Sequence, residues 1–142
     1  MIVKVVNHSG FPLPHYATAG SVGLDLRAAI AEPLVIQPMK RALLPTGISI
    51  GLPASYEAQV RPRSGLAAKF GVFSVFGTID EDYTGEIKVN LMNFSEEPFT
   101  VQPGERIAQL VISRYEKIEW ETVEALAETT RGAQGFGSTG RH

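Results

Sequence analysis

Short runs of apolar residues, separated by glycine and proline, recur along the first 115 residues of the chain. Several runs alternate apolar and polar positions with a period of two, which is typical of a β-strand with one buried face. The alternation is clearest at Val3 and Val5, at Leu24 and Leu26, and at Ile87, Val89 and Leu91. The runs predicted as strands are IVKVV, GLDLRAA, PLVIQP, RALLPTGISIGLP, YEAQVRPR, GEIKVNLMNF and RIAQLVISRY. Many strands without long amphipathic helices between them predict an all-β sandwich, jelly roll or barrel.

Two segments have helical character. The segment SGLAAKF predicts one short helix over residues 64–70. Ser64 can cap the free amides of its first turn, and Gly71 can adopt the left-handed conformation that ends a helix. The segment EWETVEALAE, residues 119–128, also has helical propensity, although few of its positions are apolar.

The composition narrows the class of protein. With 142 residues, 44% of them apolar, the chain is long enough for one domain with a real core. Thirteen basic residues against 15 acidic ones give a net charge of -2, which argues against polymeric nucleic acid as a partner. The absence of cysteine excludes disulfides, thiolate zinc sites and a cysteine nucleophile. No targeting segment or membrane-spanning stretch is evident, so we expect a cytoplasmic protein without a membrane partner.

The C-terminal segment RGAQGFGSTGRH differs from the rest of the chain. Four glycines in its 12 residues leave too little apolar material for a core, so we expect a β domain over residues 1–130 and a flexible arm over residues 131–142. Its G-x-G-x-x-G spacing lacks the strand and helix that a dinucleotide fingerprint requires. The arm is either a plain tail or a phosphate clamp, in which Arg131, Ser138, Thr139 and the glycine amides would contact an anion.

Two further motifs could carry phosphate chemistry. PRSGLA, residues 62–67, places Arg63 before a helix start whose amides favour an anion, although by itself the motif is better explained as a simple capped helix. GTIDEDYTGE, residues 77–86, predicts a hairpin with acidic residues in its turn. Those acids are either solvated or supply a general base, Asp80, with Tyr83 able to stack on a ring.

Three strand residues and the histidines complete the set of candidates. Asp25, Arg106 and Gln109 lie in predicted strands. An ordinary surface position is an equally valid interpretation for Asp25 and the favoured one for Arg106 and Gln109 taken singly. The three histidines are scattered along the chain, so a bound metal would need oxygen ligands, which indicates Mg²⁺ and not zinc.

Five segments of the chain, in order, resemble the five motifs of the homotrimeric deoxyuridine triphosphatases, the dUTPases. They are the segment around Asp25, PRSGLA, the G-x-I-D-x-D-Y hairpin, GERIAQ and RGxxGFGSTG. The resemblance covers residues 20–140. It implies a distorted jelly-roll, or β-clip, sandwich in a homotrimer whose shared active sites are closed by the C-terminal arm. It also implies Mg²⁺-assisted hydrolysis of dUTP to dUMP and pyrophosphate, which limits uracil in DNA and supplies dUMP for dTMP synthesis.

The resemblance assigns roles to individual residues. Asp80 would activate the attacking water, Tyr83 would lie under the deoxyribose, and Asp25 would hold waters of the metal shell. Phosphate would be bound by Arg63, Ser64, Gly65 and Gln109, and its terminal group by Arg131, Ser138 and Thr139. Phe136 would stack on uracil, and the other implied substrate contacts are Gly77, Thr78, Ile79 and Gly137. Ser74 stands where many members carry an asparagine for uracil, so we expect hairpin backbone groups or water to contribute more to uracil recognition here.

Two alternatives stay open on the sequence alone. A dCTP deaminase, or a bifunctional deaminase and triphosphatase, would share the sheet architecture and a deoxynucleotide substrate. A non-catalytic β-sandwich module would bind carbohydrate or nucleotide through its loops without activating water. Pyrophosphate release from dUTP, with dCTP, dTTP and UTP as controls, distinguishes the three.

Overall fold

The computed structural model describes residues 1–133 and contains, in that range, ten strands and one helix. The strands are β1 (Lys4–Asn7), β2 (Leu24–Arg27), β3 (Leu34–Ile36), β4 (Arg41–Gly51), β5 (Tyr56–Arg61), β6 (Val72–Ser74), β7 (Gly77–Ile79), β8 (Glu86–Asn93), β9 (Phe99–Val101) and β10 (Arg106–Arg114). The helix α1 is Ser64–Phe70. No helix in residues 1–133 is long and apolar enough to cross a membrane.

The strands form two four-stranded antiparallel sheets and a small two-stranded one. One sheet has the order β1-β4-β8-β6, the other has the order β2-β10-β5-β7, and β3 pairs with β9. The inward faces of both large sheets share one core, in which Leu26 of β2, Leu44 of β4, Val89 of β8 and Leu110 of β10 are all buried. This arrangement confirms the all-β sandwich predicted from the alternating pattern.

The alternation predicts burial well in β8 and poorly in β1. Ile87, Val89 and Leu91 are fully buried, as expected from their period of two. Val5, in contrast, is 42% exposed, because β1 is an edge strand that covers little of the core. The three-residue strands β6, β7 and β9 are not among the predicted runs, since three positions are too few to show a period, and the equally short β3 is predicted only as part of the longer apolar run PLVIQP.

The short helix begins and ends where the sequence predicts, but its N-cap is different. Because Ser64 is already the first helical residue, the extended residue Arg63 (φ -92, ψ 122) takes the capping position, and no side chain caps the helix. The carbonyl of Arg63 accepts hydrogen bonds from Leu66 and Ala67 instead. The predicted capping role of Ser64 is therefore wrong. Gly71 does close the helix in the left-handed conformation (φ 63), with its N–H bonded to Ala67.

The second predicted helix, over residues 119–128, does not form. This segment has no regular secondary structure, and its apolar side chains are largely exposed, with Trp120 at 89% and Leu126 at 87%. A ten-residue helix is marginal unless an apolar face packs against the rest of the protein. Within this chain the segment has no such surface to pack on, so helical propensity alone does not order it.

Candidate active site

The segment of residues 77–86 runs from β7 in one sheet to β8 in the other, because β7 pairs with β5 whereas β8 pairs with β4 and β6, so the predicted pairing of the two strands as a hairpin is wrong. The turn of this segment, for which we keep the name hairpin, builds one wall of a cavity of about 310 Å³. Inside its turn, the N–H of Tyr83 donates to the carbonyl of Asp80 at 3.1 Å, and the Tyr83 hydroxyl donates to the carbonyl of Glu86 at 2.9 Å. The Tyr83 ring lies across Gly85, where any side chain would collide with it. The cavity is lined by the predicted substrate residues Gly77, Thr78, Ile79, Asp80 and Tyr83, together with Val60, Glu86, Ile87 and Lys88.

Asp80 itself lies at the end of β7 with its side chain exposed. This position suits a carboxylate that must reach both water and a bound ligand. Asp80 also lines a second open cavity of about 470 Å³ on the other side of the turn, shared with Glu57, Glu81, Asp82, Tyr115 and Lys117. The turn therefore separates two concave surfaces, and Asp80 borders both of them.

A second cluster of predicted site residues lies around Asp25. Its two carboxylate oxygens are each 3.0 Å from an arginine, Oδ1 from Nε of Arg63 and Oδ2 from Nη1 of Arg106. Nη1 of Arg63 also donates to the carbonyl of Arg106 at 2.9 Å, which closes the network. The Asp25 side chain is only 16% exposed, so solvent screens these ion pairs less than an ordinary surface pair.

Gln109 supports this cluster from β10. Its Nε2 donates to the carbonyl of Pro62 at 2.9 Å, which holds the backbone immediately before Arg63. Gly23 lies against the same side chain, and a Cβ added there would collide with the amide oxygen of Gln109. The structure thus brings Gln109, Arg63 and Asp25 together. In this cluster Gln109 holds the backbone at Pro62 and so orients the residue that follows, Arg63.

Arg106 is the partner that sequence reasoning considered but did not assign to the site. A register shift in the pairing of β10 with β2 occurs between Arg106 and Ala108. Such an irregularity redirects the side chains beside it. In the sequence, Arg106 stands out only as a charged residue in a predicted strand. Its partner Asp25 is 81 positions away, so the sequence does not indicate the contact.

The remaining predicted residues fall into three groups. Ser64 and Gly65 are exposed at the start of α1, beside Arg63. Ser74 is 1% exposed, does not line the hairpin cavity, and its hydroxyl has no hydrogen-bond partner among the described residues. Arg131 lies in the turn of residues 129–132, whereas Phe136, Gly137, Ser138 and Thr139 lie outside the described residues.

The two clusters occupy opposite edges of one sheet. Asp25 is on the edge strand β2, and Thr78 is on the other edge strand, β7, with β10 and β5 between them. Three inter-strand spacings amount to about 14 Å. Within one chain, the Asp80 hairpin and the Arg63 cluster, which consists of Asp25, Arg63, Arg106 and Gln109, are therefore two separate candidate sites.

Comparison with known proteins identifies the family. The dUTPase family model matches residues 9–140. The chain belongs to the dUTPase family. It is 49% identical to a Finegoldia magna protein and 55% identical to a Cytophaga hutchinsonii protein, both named deoxyuridine 5'-triphosphate nucleotidohydrolase. The alignments cover 99% of this chain and 99% of the first relative, and 98% of this chain and 92% of the second.

Solved dUTPase structures have the same fold. A variant of the Staphylococcus phage 80alpha dUTPase superposes with a TM-score of 0.87 at 25% identity, over 96% of this chain and 98% of that one. Another variant of that phage enzyme, determined with dUpNHpp, gives a TM-score of 0.84 at 25% identity, over 98% of both chains. The family, the β-sandwich fold and the dUTP diphosphatase class predicted from the sequence are thereby confirmed.

Proposed function

We propose that this chain hydrolyses dUTP to dUMP and pyrophosphate, with Asp80 as the base that activates the attacking water. The observation that carries the proposal is the hairpin cavity, in which Asp80 and the fixed ring of Tyr83 border the same space. The names of the relatives support dUTP as the substrate. The product dUMP would feed dTMP synthesis, and removal of dUTP would limit uracil in DNA.

The edge strand β7 offers the groups for recognition of the base. Because β7 pairs only with β5 in its sheet, one side of its backbone is open, and an edge strand presents unpaired N–H and C=O groups there. Uracil carries both donors and acceptors along one edge, so the backbone of Gly77, Thr78 and Ile79 can pair with it. This assigns uracil recognition to the hairpin backbone. Ser74, buried outside the cavity, has no direct part in it.

The sugar and the phosphates would be bound by different groups. The Tyr83 hydroxyl is held by the carbonyl of Glu86. The ring would then lie against the deoxyribose and leave no space for a 2′-hydroxyl. Arg63 supplies a planar fork of donors for a phosphate group, and the exposed Ser64 and Gly65 lie beside it. The charge that develops on phosphate oxygens during hydrolysis is then stabilised by positioned donors, without a covalent intermediate.

The donor set fits Mg²⁺ that arrives with the triphosphate. No group of three or more His, Cys, Asp or Glu side chains in residues 1–133 is arranged as a metal site. Mg²⁺ is commonly held by one or two carboxylates, several waters and substrate phosphates, so a complete protein cage is not needed. Asp25 would hold waters of that metal shell, and the ion would neutralise phosphate charge when bound. Within the protein, Asp25 also orients Arg63.

A complete site would require several copies of the chain. The two candidate sites lie at opposite edges of one sheet, and the segment of residues 118–126 exposes Ile118, Trp120, Val123 and Leu126. Exposed apolar residues grouped in this way are typical of a surface that another chain covers. We therefore propose a homotrimer in which the hairpin of one copy meets the Arg63 cluster of a second. The arm of a third copy would close the site through Arg131, Phe136, Gly137, Ser138 and Thr139.

The proposal is tested by following pyrophosphate release from dUTP with Mg²⁺. We expect dUTP to be hydrolysed far faster than dCTP, dTTP or UTP. Asp80→Asn should lower kcat by about 100-fold to 10,000-fold, the usual contribution of a general base, and should still bind dUpNHpp. Because Asp80 is exposed, the substitution should leave the fold intact.

The matched control is Glu96→Gln, which removes one negative charge from an exposed position in another turn. It should have the kcat of the original chain. Turnover by Asp80→Asn at the original rate would refute the assignment of the base. Light scattering should give three times the chain mass of 15.4 kDa, and a fully active monomer would refute the shared site.

A further inference from the structure

Glu81, the residue after the proposed base, connects the active-site turn to two other parts of the chain. Its Oε2 accepts a hydrogen bond from the backbone N–H of Ser55 at 2.6 Å. Its Oε1 lies 3.2 Å from Nζ of Lys117, beyond the end of β10. The Glu81 side chain is 27% exposed, so these contacts are partly shielded from solvent.

Ser55 is an unusual anchor. It lies in the loop between β4 and β5 with a φ of 65°, a left-handed conformation that non-glycine residues rarely adopt. Its carbonyl accepts a hydrogen bond from the N–H of Tyr115 at 3.0 Å. Both backbone polar groups of Ser55 are therefore used, one toward Glu81 and the other toward the end of β10. Such strained positions persist only where the surrounding structure holds them.

The contacts of Glu81 join the turn to other parts of the chain, whereas the other hydrogen bonds of the turn do not. The bonds of Tyr83 to Asp80 and to Glu86 both stay within the hairpin, so they shape the turn without fixing its place on the protein. The bond to Ser55 joins the turn to a different loop. Because Asp80 and Glu81 are adjacent, movement of the Glu81 backbone moves the Asp80 carboxylate with it.

We propose that Glu81 is a positioning residue that holds the Asp80 carboxylate in place through its hydrogen bond to the backbone of Ser55. The proposal rests on the proposed role of Asp80 as the base. A displacement of about 1 Å at a reacting group can cost 100-fold in rate, so a bond of this kind matters for the chemical step. Nucleotide binding depends less on it, since β7 is also held by its pairing with β5.

The hydrogen bond to Ser55 contributes more than the ion pair does. Lys117 is 77% exposed, and an exposed ion pair of this kind adds little. The Ser55 bond joins a backbone donor to a charged acceptor, which makes it stronger than a neutral hydrogen bond. In agreement, the Ser55 N–H is the first cause that lowers the pKa of Glu81, ahead of Tyr115 and Lys117. An amide oxygen in place of the carboxylate should thus retain most of the positioning.

The test compares Glu81→Ala with Glu81→Gln. The alanine variant loses the acceptor for Ser55, whereas the glutamine variant keeps an oxygen there and loses only the charge. We expect Glu81→Ala to lower kcat by about 10-fold to 100-fold, with a smaller rise in KM, and Glu81→Gln to recover most of that loss. Hydrogen exchange should show faster exchange of the Ser55 amide in Glu81→Ala than in Glu81→Gln.

One control separates positioning from a general loss of stability. Ile36→Val removes one buried methyl group from β3, away from the hairpin, and should leave kcat unchanged despite a lower stability. An equal fall of kcat in Ile36→Val, an unchanged kcat in Glu81→Ala, or no recovery in Glu81→Gln would each overturn the proposal. Asp80→Asn tests the base separately, and the Ser55 amide reports the anchor even if that assignment fails.

Discussion

Gly85→Ala should weaken selection for deoxyribose while leaving the fold nearly intact. A methyl group at Gly85 would lie 2.5 Å from the hydroxyl oxygen of Tyr83 and 2.7 Å from Cζ, whereas comfortable carbon contacts are about 3.5 to 4.0 Å. Gly85 does not have a positive φ, so alanine fits its backbone. Because the Tyr83 side chain is 46% exposed, we expect the ring to move and the strand to stay.

Gly85→Ala should have two separate effects, a loss of stability from the broken hydrogen bond and a loss of selectivity from the changed contact with the sugar. The Tyr83 hydroxyl would lose its 2.9 Å bond to Glu86, worth about 0.5 to 1.5 kcal/mol to the folded protein. If the ring excludes a 2′-hydroxyl, the exclusion is worth about 1 to 3 kcal/mol, or about 5-fold to 150-fold in kcat/KM. Gly85→Ala should remove most of that factor, measured as the ratio of kcat/KM for dUTP to that for UTP.

Tyr83→Phe is the matched control, because it retains the ring and removes only the hydroxyl that contacts Glu86. It should keep most of the preference for dUTP over UTP, with a similar small loss of stability. If Gly85→Ala keeps the full preference although its melting temperature falls as expected from the loss of the Tyr83 hydrogen bond, the ring position does not determine sugar selectivity. If both variants lose the preference equally, the hydroxyl and not the ring is responsible.

Three further predictions follow from single contacts. Ser74→Ala should raise the free energy of unfolding by about 1 kcal/mol in denaturant titrations, because it removes a buried hydroxyl without a partner among the described residues; a clear loss would contradict this. The pKa of Glu81 is lowered from 4.5, so the stabilisation by its charged form is complete above that value and is lost as pH falls through the lower folded pKa. The protection of the Ser55 amide, relative to an unstructured amide at the same pH, should therefore fall toward low pH in the original chain and stay constant in Glu81→Gln. Asp25→Asn should raise KM for dUTP more than it lowers kcat, because Arg63 and Arg106 lose a shared charge, and an unchanged KM would contradict that role.

The sequence predicts those parts of the fold in which local pattern and burial agree. In β8 three alternate apolar residues are all buried, so the period of two is enough to place the strand and its inner face. In residues 119–128, helical propensity conflicts with a lack of packing partners, and packing decides the outcome. The cap of α1 was wrong for a different reason, since a shift of one residue moves Ser64 from the cap into the helix.

The candidate site was predictable as motifs but not as a network of contacts. The prediction that Asp80 and Tyr83 share one turn is confirmed, because that turn is local in sequence, whereas the predicted hairpin pairing is wrong, because β7 and β8 join different sheets. The contact of Arg106 with Asp25 spans 81 positions, and that of Glu81 with Ser55 spans 26. Such pairs depend on strand order and on how separate loops meet, which no single segment of the sequence contains.

The pairing around Asp25 also explains how Arg63 could serve two partners. Arg63 contacts Asp25 and the carbonyl of Arg106, so turning toward a phosphate would cost it an ion pair. Leaving a partly buried carboxylate without a partner is unfavourable. Arg106 removes that difficulty, because its own 3.0 Å contact with the other oxygen of Asp25 stays in place. With Arg106 present, Arg63 can exchange a carboxylate for a phosphate at a low cost, which a single arginine at this carboxylate would not allow.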